Sequence, residues 1–264
     1  MKLILLSILS LFCLTIQAKK ITEEDIKNFC RDANQAVIAL SDDNAKTAAF
    51  QSEAAKWFKP ADLEQITPQQ VDFFFETGGV NLDRYLRHWF EPTLTAKATK
   101  DTAFAFLSWK YMPENDGFMH TPKETEALMR FLNASDLQSQ LDQHPEYAQE
   151  VFAALGTMKD ANWNTSGFPQ SIERLMQCQL SKLAVLDCIK AFNSIARVDD
   201  MPREHTENIR KACVAQYERL IQSLDNARKQ KMCQENIKYL NGPFACGTLV
   251  GSTAPEIHIL RAFK

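Results

Sequence analysis

Residues 22–40 read Thr-Glu-Glu-Asp-Ile-Lys-Asn-Phe-Cys-Arg-Asp-Ala-Asn-Gln-Ala-Val-Ile-Ala-Leu, and their pattern decides the fold class. Thr22 is a side-chain cap, and Glu23, Glu24 and Asp25 place acids at the positive end of a helix. Ile26, Phe29, Ala33, Val37 and Leu40 then recur at helical spacing. The same grammar repeats downstream. Ser41-Asp42-Asp43 restarts a helix that carries Phe50, Ala54, Trp57 and Phe58 and ends before Pro60. Thr67-Pro68 and Thr121-Pro122 pair a cap with proline at the first helical position, and Glu124 completes a capping box. Gly78-Gly79 is expected to stop the helix that begins at Thr67, and Asn81 to open a short one ended by Pro92. Residues 95–111 read as one helix, 113–117 as a loop, and Ser135-Asp136 and His144-Pro145 as two further helix starts. With 8 Gly in 264 residues and almost no strand-like alternation, the fold class is all-α.

The N-terminus reads differently. Met1-Lys2 precedes an apolar run from Leu3 to Leu14, and Ile16-Gln17-Ala18 fits a cleavage site. This is the three-part layout of a secretory leader, with removal expected after Ala18. The run is shorter than the roughly 20 residues that a membrane span needs. Phe12 before Cys13 is too large for a lipid-attachment site. The expected location is therefore exported, either the periplasm and cell envelope or the extracellular space. No second apolar run of membrane length follows, so the processed chain is not expected to be an integral membrane protein. Losing Lys2 with the leader leaves 29 basic against 33 acidic residues, a net −4. That balance gives no electrostatic reason to expect nucleic acid as a partner.

Trp163 to Pro169 is the best internal break. The expected organisation is a leader over 1–18, a helical region over 19–168, a helical hairpin over 169–242 and an extended tail over 243–264. The hairpin joins helices over 171–197 and 202–240 through Val198-Asp199-Asp200-Met201.

Six cysteines remain after the leader: Cys30, Cys178, Cys188, Cys213, Cys233 and Cys246. An even number in an exported chain suggests disulfides. Cys188 and Cys213 lie about 12 residues either side of the hairpin turn, at one height in an antiparallel pair. They form the first expected bond. Cys178 and Cys233 are offset by about 10 residues, or ~15 Å of helix. A disulfide spans only roughly 4.4–6.8 Å between Cα atoms. Cys233 is assigned to Cys246 across the Asn241-Gly242-Pro243 turn, and Cys30 to Cys178 by elimination.

No complete catalytic motif occurs. The usual redox spacing of two cysteines separated by two residues is absent. So are the Gly-x-Ser-x-Gly elbow and the glycine-rich phosphate loop. His88, His120, His144, His205 and His258 form no helical metal pair. No catalytic residue, metal or cofactor is expected. Phe73, Phe74, Phe75, Tyr85, Trp89, Phe90, Phe104, Phe106 and Trp109 cluster along the chain, as core or as the wall of a ligand groove. Asn133-Ala134-Ser135 and Asn164-Thr165-Ser166 fit the glycosylation sequon, which matters only in a eukaryotic secretory route.

The last residues carry a family resemblance. Gly251-Ser252-Thr253-Ala254-Pro255-Glu256 followed by Ile257-His258-Ile259-Leu260 resembles the opening of a thioredoxin-like domain of the TlpA/ResA or peroxiredoxin type. Its informative positions are Gly251, Ala254, Pro255 and Glu256. In that family the reactive cysteines lie a few tens of residues further on, beyond Lys264, so no catalytic residue carries over. The resemblance implies the non-catalytic helical part of an exported thiol-disulfide oxidoreductase-like protein, recognising a protein partner or peptide. The alternative is an independent secreted helical binding protein, held by disulfides and without a redox role.

Overall fold

The local rules that start each helix also set where the buried faces point. The computed structural model describes residues 18–113, 121–155 and 165–180, with single positions at 204, 208, 211, 219, 225 and 227. Every regular element among the described residues is helical, and none is a strand. None of these helices is long and apolar enough to cross a membrane. The chain forms two compact units that divide between Thr93 and Leu94. The 163–169 break read from the sequence lies within the second unit.

In the first unit, α1 spans Glu23–Ile38. Thr22 Oγ1 accepts from the Asp25 amide at 3.2 Å, and Asp25 Oδ2 accepts from the Thr22 amide at 3.0 Å. The reciprocal pair satisfies two amides that a bare helix start would leave unpaired. One face of α1, with Ile26, Phe29, Cys30, Ala33 and Val37, is buried. Leu40 falls past the end of the helix and is exposed. The second helix, α2, spans Asp43–Trp57 and packs on α1. Its cap, Asp42, accepts from the Ala45 amide at 2.8 Å. A single turn, α3, covers Pro60–Leu63.

Helix α4 runs over Pro68–Ala98. Thr67 and Gln70 cap its start reciprocally. As expected, the first helical segment stops at Gly78-Gly79, and a second segment follows across a kink. Gly79, at φ 56 and ψ −166, kinks the axis, a backbone state that costs glycine little. Gly78 needs its bare Cα as well, because a Cβ there would lie 2.7 Å from Leu86 Cδ1. Pro92 does not end the second segment. A proline removes one backbone bond, but Leu82, Leu86, Phe90, Leu94 and Ala98 recur every four residues and are all buried. That continuous stripe carries the helix through Pro92. The break falls instead at residues 99–101, so the single helix expected over 95–111 is two.

The second unit begins within α4. Asp101 caps α5, Thr102–Lys110, accepting from the Phe104 amide at 3.1 Å. Residues 103–109 of α5 are buried on every side, which suits an element that is apolar all round. Helix α6, Pro122–Leu132, packs on α5 and starts with the expected capping box of Thr121 and Glu124. It is followed by α7, Leu137–Gln143, and α8, Pro145–Leu155. Phe106 stacks on Tyr147 with centroids 3.8 Å apart, and Phe131 closes on both. Helix α9, Phe168–Leu180, packs on α6 and α7. Ser171 Oγ donates to Asn133 Oδ1 at 3.1 Å, and Arg174 Nη2 donates to the Ala134 carbonyl at 2.6 Å. Apart from those single positions, the remainder of the expected hairpin and the extended tail lie outside the described residues.

Candidate recognition groove

Residues four apart on a helix form rows along its surface. On α4, Arg84 and His88 make one such row, and Tyr85 and Trp89 the row beside it. Across from them α2 presents Thr47, Phe50 and Gln51 at spacings of three and four. Together with Pro92 these residues line an open groove of about 510 Å³. Its volume falls in the ~300–1,000 Å³ range of small-molecule and cofactor sites.

The aromatic floor is closely packed. Phe50 stacks on Tyr85 with centroids 5.6 Å apart and an interplanar angle of 24°. Trp89 meets Phe29, Phe50, Phe58, Phe74 and Phe90 at centroid distances from 4.7 to 6.0 Å. Offset and edge-to-face pairs at such distances each contribute roughly 0.5–1.5 kcal/mol beyond their buried area. The polar rim is loose by comparison. Arg84 Nη1 donates to Asp43 Oδ2 at 3.2 Å, but both side chains are about two-thirds exposed. Such a pair is worth less than about 1 kcal/mol and can be exchanged for a ligand carboxylate.

Seven of the nine residues in the expected aromatic cluster serve mainly as core or lie partly covered on helix faces. Phe73 is half-buried beside Lys27 Nζ, 5.6 Å from its ring centre. Phe74, Phe75, Phe90, Phe104, Phe106 and Trp109 are buried. Tyr85 and Trp89 are the two that reach the groove. The sequence reading placed Phe50 on a helical stripe and did not pick out Thr47, Gln51 or Arg84. The four-residue rows on α4 were the available signal.

The cysteines need a correction. Cys30 and Cys178 are free thiols, so the bond assigned to them by elimination is not formed. Cys30 lies on the inward face of α1, 3 % exposed, with Sγ directed to the Phe74 carbonyl at 3.9 Å. Burial pushes its thiol up to about 12. Cys178 is half-buried on α9, and burial raises its thiol too, against the lowering influence of the Arg174 charge. Cys188, Cys213, Cys233 and Cys246 lie outside the described residues, as do Gly251, Ala254, Pro255 and Glu256.

Among the described residues no three His, Cys, Asp or Glu side chains converge as a metal site. His88 is exposed at the groove. His144 stacks on Tyr147 at 4.8 Å and bonds to Glu146 Oε1 at 3.0 Å. The fold and groove thus define an all-α chain with an aromatic-floored recess beside one exposed arginine. No protein family, curated protein or solved structure was found to match it.

Proposed function

We propose that this chain is an exported helical recognition module that works by binding a protein or peptide partner. The observation that carries this reading is the groove between α2 and α4. A preorganised aromatic floor lies beside a guanidinium held only by an exposed carboxylate. Rigid aromatic anchors supply contact area at low entropic cost, and Arg offers a two-pronged grip on carboxylates. The resemblance at Gly251, Ala254, Pro255 and Glu256 supports a place beside a thioredoxin-like domain, as its non-catalytic accessory part. The alternative, a stand-alone secreted binding protein, uses the same groove.

Random-peptide display on the chain starting at Lys19 tests the binding reading. Selected peptides are expected to shift the Trp89 indole N–H resonance and to lose at least tenfold in affinity to Arg84→Ala. Failure to select any peptide, or clones indifferent to Arg84→Ala and silent at Trp89, overturns it. Intact mass of the protein from its source separates the two contexts. A mass well above that of residues 19–264, not explained by glycans, supports the accessory role.

A further inference from the structure

The segment just after the expected leader is tied into the first unit at several points. The Lys19 backbone N–H donates to Asp62 Oδ1 at 2.6 Å, and Lys19 Nζ reaches Asp25 Oδ1 at 2.5 Å. Gln70 Nε2 donates to the Ile21 carbonyl at 2.7 Å, and the Ile21 side chain is 4 % exposed. Thr22 then caps α1. Chain termini stay ordered only when tied down in this way.

Asp62 is the unusual member of this set. It is 4 % exposed, and its second oxygen accepts from the Lys59 amide at 2.8 Å. Among the described residues no Lys, Arg or His side chain forms an ion pair with it. Two neutral amides therefore hold a carboxylate that has been taken out of water without a countercharge. A buried charge of that kind is costly unless it is paired.

We propose that cleavage between Ala18 and Lys19 supplies the missing countercharge, as the new α-ammonium group of Lys19 bound to Asp62. A leader peptidase would hydrolyse the Ala18–Lys19 peptide bond with one water. The water oxygen leaves with the leader as part of the Ala18 carboxylate. Both hydrogens go to the Lys19 nitrogen, which becomes –NH3⁺. That nitrogen already sits 2.6 Å from Asp62 Oδ1, so the ion pair forms without moving the chain. A hydrogen bond from a neutral amide to a carboxylate becomes a bond between opposite charges in a buried setting, where such bonds are strongest. In the uncut chain two backbone amides alone hold the carboxylate, and in the cut chain an ion pair closes on it. Leader removal thereby becomes a step that stabilises the fold. The inference rests on the export reading, and the experiment separates the two.

N-terminal sequencing of the protein from its source comes first, with Lys19 expected as the first residue. Two chains are then compared by denaturant unfolding. One starts at Lys19 through scarless proteolysis, and the other retains Ala18 behind a Gly-Ser extension. The Lys19 chain is expected to show a folded-to-unfolded ratio at least tenfold higher. Asp62→Asn should abolish that difference, and α-N-acetylation of the Lys19 chain should do the same. If Asp62→Asn does not fold, the wild-type pair and the acetylated chain decide alone. A native start other than Lys19 overturns the leader reading together with this inference. A native start at Lys19 with equal stability of the two wild-type chains overturns the inference and leaves the export reading standing.

Discussion

Phe29 and Trp89 lie with ring centroids 5.5 Å apart, and Phe50, Phe58 and Phe74 each pack against both. Phe29 comes from the buried stripe of α1 and is fully covered. Trp89 comes from α4 and is half-buried, lining the groove. One hub therefore joins the core of the first unit to the candidate groove. Core rings on one side pack against the indole that lines the groove on the other.

Phe29→Ala is expected to cost about 4 kcal/mol, the range for emptying a packed aromatic site. Typical total stabilities are only ~5–15 kcal/mol. The same change frees Trp89, so near-UV circular dichroism should lose intensity even where helix content persists. Phe29→Leu refills most of the volume and should cost clearly less. Unfolding in urea, followed at both wavelengths, checks this. A Phe29→Ala chain within about 1 kcal/mol of wild type would show that the hub does not hold the unit.

Cys30 should resist alkylation. The thiolate is the reactive species, and burial moves the Cys30 thiol from 9.0 up to about 12. The folded chain keeps the proton where the unfolded chain loses it. Its contribution to stability is therefore present below pH 9 and lost as pH rises from 9 towards 12. Iodoacetamide at pH 8 should label Cys178 in the native chain well before Cys30, as mapped by peptide mass. Cys30→Ala should flatten the alkaline loss of stability across that window. Labelling of native Cys30 at the rate of a free thiol would contradict its enclosure.

Short-range chemistry was the legible part of this chain. Thr22 as the cap of α1 and the capping box of Thr121 with Glu124 involve residues three apart, so both are legible in the sequence, while the reciprocal bond from Asp25 emerges only in the structure. Pro92 was misread because a proline announces one lost bond, while the buried stripe that offsets it extends over several turns from Leu82 to Ala98. The Cys30–Cys178 assignment used only arithmetic of what was left over. It carried no information that Cys30 faces Phe74 inside an aromatic core. The groove was half legible. Four-residue spacing shows that Arg84 neighbours His88 and that Tyr85 neighbours Trp89. It does not show that α2 lies opposite with Thr47 and Gln51. That fact depends on how α2 packs.

Asp136 offers a local test of electrostatics in the second unit. Thr102 Oγ1 donates to Asp136 Oδ1 at 2.5 Å. That bond, helped by Gln140 and by the residue's own backbone, outweighs burial and holds the carboxyl below the ordinary value of 3.8. A carboxyl lowered on folding adds stability above its unfolded value, and that stability is lost as pH falls through the folded value. Thr102→Val should move the Asp136 titration, followed by carbon NMR, upward towards ordinary aspartate. It should destabilise the chain at neutral pH more than in acid below the folded value, where the carboxyl is protonated in both states. An unmoved titration would show that Thr102 is not the controlling partner.

The last prediction sets the rim of the groove against its floor. Asp43 and Arg84 form an exposed pair at 3.2 Å, so breaking it should change stability by less than about 1 kcal/mol. Asp43 also stands at the first position of α2, where a negative charge favours the helix by a few tenths of a kcal/mol. Asp43→Asn keeps the shape and removes the charge that competes for Arg84. Peptides selected on the groove that carry an acidic residue should therefore bind Asp43→Asn more tightly than wild type, and Arg84→Glu far more weakly. Peptides without an acid should bind Asp43→Asn and wild type alike. Calorimetric titration of matched Glu and Gln peptides against the three chains separates the cases. If the Glu and Gln peptides respond alike to Asp43→Asn, Arg84 does not read a carboxylate, and the aromatic floor alone must account for binding.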